Sequence, residues 1–205
     1  STIRRDIIGE HLTDLTDAEI SVFKIVLKQA LEEGALGFSS GLNYAHTRQT
    51  PQRELKELVM VTGQNNGIYA THLRQETENL VNAVNEISDI YKATGTTTII
   101  SRFLPLLGFE KEFDLAREII EGGGDSFLFV TPVTNLDTVP IYTLLPLWAQ
   151  KGNLQQMDEF IKAPGNEKAL IAELPKIKDS AIIIKAQDHP HLKNKTLKEF
   201  AENRG

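Results

Sequence analysis

The chain has 205 residues, 40% hydrophobic and 24% charged, with a formal net charge of −6 and no cysteine. That composition is globular and the length suits one large α/β domain, so long disorder and collagen-like repeats are excluded. No arginine-rich stripe offsets the negative charge and no apolar run approaches the ~20 residues of a bilayer span, so neither nucleic acid nor a membrane is an expected partner. STIRRDIIGEHL lacks the apolar stretch of a signal peptide. The missing cysteines exclude disulfides and thiolate chemistry and suit a cytoplasmic protein.

In chain order, the first strong signal is a helix after Thr16. Thr16 and Glu19 make a capping box, and Ile20, Phe23, Val26, Leu27 and Leu31 follow at helical spacing. ALGFSSGL (35–42) reads as a short strand. Thr50 is placed to cap the next helix, with Pro51 at its first position, where a missing N–H costs nothing. Leu55, Leu58, Val59 and Thr62 line one face of that helix. GIYATHL (67–73) predicts the second strand, and Leu80, Val81, Val84, Ile87, Ser88 and Tyr91 predict the helix after it. The β-branched TTTIISRF (96–103) predicts a third strand. Phe113, Ala116, Ile119 and Ile120 mark a helix running into Gly122–Gly124, and DSFLFVTPV (125–133) is a fourth strand. Strand starts recur about every 30 residues, the length of a βαβ unit, so the strands should be parallel. Their continuous hydrophobicity predicts cover on both faces of the sheet.

After Pro140 the rhythm breaks. Residues 144–175 are helical in pattern but punctuated by Pro146, Gly152, Pro164-Gly165 and Pro175, which reads as a helical insertion following an α/β unit of residues 1–143. Residues 176–205 return to strand plus helix, with AIIIKA (181–186) as a fifth strand and Lys195–Gly205 as a helix. The lysines from Lys176 to Lys198 read as a solvated face.

In parallel α/β folds, ligands gather at the C-terminal ends of strands. That rule selects Ser39, Ser40 and Asn43, then His72 and Arg74, then Ser101 and Arg102, with Thr131, Thr134, Asp188, His189 and His191 further on. His72 is the sharpest of these: an imidazole there ligates a metal or moves a proton, or else is a hydrogen-bonded structural histidine. By strand alternation Arg74 shares its face, either to clamp a carboxylate or to pair with Glu76 or Glu78. His189 and His191 flank Pro190, which favours a loop over a metal site. His11 and His46 read as solvent-facing, and the glycine triplet ends a helix where a phosphate cradle would begin one. The residues alone lead to a His/Arg pair on a parallel scaffold and name no reaction.

GALGFSSGLNYA, a helix of about fifteen residues, and then GIYATHLRQE together resemble the N-acyl-D-amino-acid deacylase (D-aminoacylase) family of metal-dependent amidohydrolases. STIRRDIIG, LLPLWAQKG and NKTLKEFAENRG support the same resemblance. It implies that the parallel sheet is part of a TIM-type (β/α)₈ barrel, and that the activity is hydrolysis of the amide bond of small-molecule N-acyl amino acids on zinc. Carried over by motif, the resemblance makes His72 the zinc ligand of THxR, Arg74 the holder of the substrate carboxylate, and Tyr44 a residue at the mouth of the site.

The departures are as informative. The family's ISHxK strand is IISRFLP here, so Arg102 stands where a ligand histidine is expected, and a guanidinium keeps its proton at working pH. The family's HxH strand and late catalytic aspartate have no counterpart. The expectation is therefore a chain that is inactive alone and needs the missing barrel segments of a larger parent, with zinc doubtful and Arg102 projecting toward the same cavity as His72 and Arg74 to make an anion-binding pocket. The alternative is a degenerate, non-catalytic amidohydrolase-like protein that binds an anionic ligand or partner.

Overall fold

The computed structural model describes residues 2–8, 14–106, 108–122, 127–130, 140–174, 181–186 and 188–202. His11, Gly123, Gly124, Thr131 and Thr134 lie outside the described residues.

A short helix α1 (Thr2–Ile8) precedes α2 (Asp17–Glu32), whose first turn closes as its sequence requires. Thr16 N–H donates to the Glu19 carboxylate at 2.8 Å, and Glu19 N–H donates to Thr16 Oγ1 at 3.3 Å. The chain then alternates: β1 (Gly37–Gly41), α3 (Gln52–Gln64), β2 (Ile68–His72), α4 (Leu80–Thr94), β3 (Thr98–Ser101), α5 (Glu110–Gly122) and β4 (Phe127–Val130). The four strands form one sheet in the order β1-β2-β3-β4, every pair parallel. The helix α4 ends at Gly95, whose φ of +64° is a conformation that glycine adopts at no steric cost.

Neighbouring helices pack in the same order as the strands, α2 on α3, α3 on α4 and α4 on α5. They cover one face of the sheet. Tyr69, Thr71, Thr98 and Ile100 point into that layer and are buried, joining Leu55, Val59, Leu80, Val84, Ile87 and Ala116 in the main core. On the opposite face Ile68 and Ser39 are exposed, and Ala70, His72, Ile99 and Ser101 are only half-buried. Cover on both faces is therefore not what the described residues make; the helices stand on one side only. The predicted stripes are those that pack, except that Val26 of α2 is exposed.

Two local expectations fail. Pro51, not Thr50, is the N-cap of α3, and no side chain caps that end. The carbonyl of Thr50 is instead taken by Arg74. Residues 181–186 add no strand to the sheet: Ile182 makes an isolated antiparallel bridge with Thr196. After β4 the described chain consists of two 3₁₀ turns (Ile141–Leu144 and Leu147–Ala149), α6 (Leu154–Ile161), α7 (Asn166–Glu173), a turn at Pro190–Leu192 and α8 (Leu197–Glu202). Among the described residues no helix is long and apolar enough to cross a membrane.

Candidate functional site at the strand ends

In the parallel register Gly41 of β1 and Ser101 of β3 flank His72 on either side. His72 thus stands at the centre of three C-terminal strand ends, on the face the helices leave open. Gly41 is required beside it: a Cβ there would overlap the Tyr44 ring, which folds back over the strand end. The loop that carries Tyr44 is tied down locally, with Arg48 N–H donating to the Tyr44 carbonyl at 2.9 Å and the Thr47 hydroxyl donating to the Gly41 carbonyl. The Tyr44 ring stacks on His46 at 5.8 Å between centroids and lies tilted against His72 at 6.1 Å. His46 is accordingly part of this cluster and half-buried, not simply solvent-facing.

Burial, and secondly the Arg102 charge, push the His72 imidazole below its ordinary value of 6.5. It is neutral at pH 7, and its Nδ1 is buried with no hydrogen-bond partner. A neutral imidazole with an unused ring nitrogen fits a metal ligand. Among the described residues no three His, Cys, Asp or Glu side chains come together, so His72 is one donor of a set that they do not complete.

Arg74 is placed differently from the alternation argument. β2 ends at His72, so the period of two does not extend to residue 74. The Arg74 guanidinium turns to the helix layer and grips Glu86 of α4 through two bonds, Nε at 2.9 Å and Nη2 at 2.7 Å. Its remaining donors go to the carbonyls of Arg48 and Thr50. Neither Glu76 nor Glu78 is the partner seen. Arg74 thus clamps the Tyr44 loop to α4.

Arg102 follows β3 directly, with φ +58°, a left-handed conformation that costs an arginine roughly 1 kcal/mol or more. It lines a crevice with Leu73, Glu76, Leu80, Phe103, Leu104 and Leu106. Neither His72 nor Arg74 lines that crevice. Arg102 and His72 are linked by charge alone in this arrangement.

Two residues that the sequence reading passed over complete the cluster. Arg48 is 8% exposed; its Nη2 donates to the Asn43 carbonyl at 3.3 Å, and its guanidinium lies 5.5 Å from the centre of the Tyr142 ring. Tyr142 arrives from the first 3₁₀ turn and donates its hydroxyl to the Asn43 carbonyl at 3.3 Å. Asn43 was within reach of the strand-end rule, and Arg48 lay only five residues further along the same loop. Tyr142 carries no local signal, since its partner is 99 residues earlier. His189 and His191 pack edge to face at 5.8 Å on exposed chain.

The fold as a whole is similar to that of solved structures. The crystal structure of D-aminoacylase, described as defining a novel subset of amidohydrolases, superposes with a TM-score of 0.68 at 20% identity over all of this chain and 38% of that one. N-acyl-D-glutamate deacylase from Bordetella bronchiseptica, solved with zinc and a phosphonate inhibitor, gives 0.63 at 23% identity over 93% of this chain and 35% of that one. In sequence, D-aminoacylase of Alcaligenes xylosoxydans xylosoxydans is 31% identical over 101 residues. That match takes in 49% of this chain and 21% of the relative's length. No protein-family model matches the chain. Over the stretch it shares with them this chain is similar in sequence to the N-acyl-D-amino-acid deacylases, and its fold is similar to theirs.

Proposed function

We propose that the protein containing this chain is a metal-dependent amidohydrolase that cleaves the amide bond of N-acyl-D-amino acids, and that these strands are one arc of its (β/α)₈ barrel. The observation that carries this reading is His72: a neutral imidazole with an unused, buried Nδ1, at the centre of three parallel strand ends, within the ATHLR segment that resembles the deacylases. A divalent metal held by His72 and by ligands beyond the described residues would polarise the acyl carbonyl and supply a hydroxide near neutral pH. Tyr44, 40% exposed beside His72, is positioned to contact an entering substrate. Arg74 serves this site indirectly, by fixing the loop on which Tyr44 sits.

The second reading is a binding protein without turnover. The Arg102 charge beside His72 favours it, because a cation there opposes a metal ion.

The test is steady-state hydrolysis of N-acetyl-D- and N-acetyl-L-amino acids by the full-length protein, wild type and His72→Ala, with metal content measured on the same samples. Turnover of the D series, lost together with bound metal in His72→Ala, supports the hydrolase. A metal-loaded protein that turns over neither series, or an unimpaired His72→Ala, overturns it.

A further inference from the structure

Arg48 is one of the most deeply placed charges in the protein, and it is poorly served there. It is 8% exposed, and only Nη2 is anchored, on the Asn43 carbonyl. Nε and Nη1, on either flank of Nη2, are buried and make no hydrogen bond. Asn43, 2% exposed, also holds an unpartnered Oδ1 on the same loop. Burial pushes the Arg48 guanidinium below its ordinary value, and the Arg74 charge adds to that. Glu76 offsets it, but from beyond hydrogen-bond reach of Nε and Nη1. A buried cation with idle donors is costly, and proteins keep such groups where an anion completes them.

The surroundings suit a receptor. Arg74, bonded to Glu86, holds the backbone carbonyls of Arg48 and Thr50, so the loop is fixed independently of any ligand. The face of Arg48 is closed by the Tyr142 ring, which offers it a cation–π contact and is held by hydroxyl bonds to the backbone of Asn43 and Ala45. Such a cover is exchangeable: the ring's attraction for a guanidinium is weaker than a charge-assisted hydrogen bond. Arg74, by contrast, has four of its five N–H donors committed to protein groups.

We propose that Arg48 is the receptor for a carboxylate of the ligand, held ready by the Arg74–Glu86 clamp and covered by Tyr142 until the ligand arrives. This deepens the hydrolase reading and rests on it for the identity of the ligand: the carboxylate is that of an N-acyl amino acid. The carboxylate displaces the Tyr142 ring and takes the idle N–H groups of Arg48.

The test uses the full-length protein and two probes, N-acetyl-D-methionine and N-acetyl-D-methioninamide, which differ only in the carboxylate. Binding is measured calorimetrically for wild type, Arg48→Lys and Arg48→Met, with the thermal midpoint of each ligand-free protein. The expected result is a loss of about 100-fold in affinity for the acid in Arg48→Met, smaller in Arg48→Lys, with amide binding unchanged. The ligand-free midpoint of Arg48→Met should be equal to or above wild type, since an unsatisfied buried cation is removed. An equal loss for acid and amide, or a lowered ligand-free midpoint with acid affinity unchanged, would make Arg48 structural and overturn the proposal. Acid binding that depends on Arg48 in a protein without turnover keeps the receptor and sinks the hydrolase reading instead. Turnover with acid affinity indifferent to Arg48 does the reverse.

Discussion

Residues 14–122 and residues 140–202 fold on different terms. In the first region sheet and helices pack around a main core, with Val59, Tyr69, Ile87, Ile100 and Ala116 at zero exposure, and α2 adds a second cluster of Leu15, Ile20, Phe23 and Leu58. In the second, α6 and α7 each bury a single side chain, Met157 and Leu170, while Leu154, Phe160 and Ile171 remain exposed. The α/β arc therefore supplies its own stability and positions the strand ends. Among the described residues, what the later region adds to the candidate site is Tyr142 against Arg48, Asn43 and Ala45, and Gln150 reaching Gln75 at 3.4 Å. A rigid arc touched by a lightly attached strap is the arrangement a ligand-exchangeable cover needs.

The largest expected effect breaks the arc. Ile87→Ala should cost about 2–5 kcal/mol in denaturant unfolding, because the side chain is fully enclosed and its cavity cannot collapse. Ile171→Ala, at 66% exposure, should stay within about 0.5 kcal/mol. Similar losses at the two positions would erase the distinction between the regions.

A smaller effect is expected at the clamp. Arg74→Met or Glu86→Gln removes one partner of a pair whose side chains are 20% and 17% exposed, and Arg74→Met also frees the carbonyls of Arg48 and Thr50. Each should cost roughly 1–3 kcal/mol, with the double variant less than the sum of the two. Additive losses in that cycle would mean that the pair is not a unit.

Both effects show what a single sequence can and cannot carry. The four strands and the stripes of α3, α4 and α5 were legible because hydrophobic period is a local property. Strand-like AIIIKA was misleading: β-branched residues favour a strand, but a strand forms only where an edge is offered, and Ile182 found Thr196 instead. Thr50 looked like a cap, yet its carbonyl serves Arg74. The Arg74 partner was sought at Glu76 and Glu78 because they were near in sequence, whereas Glu86 lies nearly two helix turns into α4. His72 and Tyr44 were singled out by motif and strand-end position, and the two rings lie against each other. Arg48 and Tyr142 were not, because their role appears only when chain 99 residues apart meets at Asn43.

The smallest effect is electrostatic. His72 has a folded pKa below its unfolded value of 6.5, so the unfolded chain binds the proton first. Its contribution to stability is present above pH 6.5 and is lost as pH falls from there through the folded value. NMR titration of the metal-free protein should place the His72 midpoint below 6.5, and Arg102→Met should raise it, though not fully, since burial is the larger cause. A midpoint at or above 6.5 would remove the buried, neutral imidazole on which the metal reading stands.

The central claim is that the strand-end loops of the arc, rather than the helices after it, receive the ligand. Hydrogen exchange of the full-length protein with and without saturating N-acetyl-D-methionine tests this directly. Added protection should appear at residues 41–50 and 72–76, with changed exchange at 140–145 as Tyr142 is displaced, and none at 154–173 or 190–202. Protection centred on the α6–α8 segments, with residues 41–50 and 72–76 unaffected, would contradict the account.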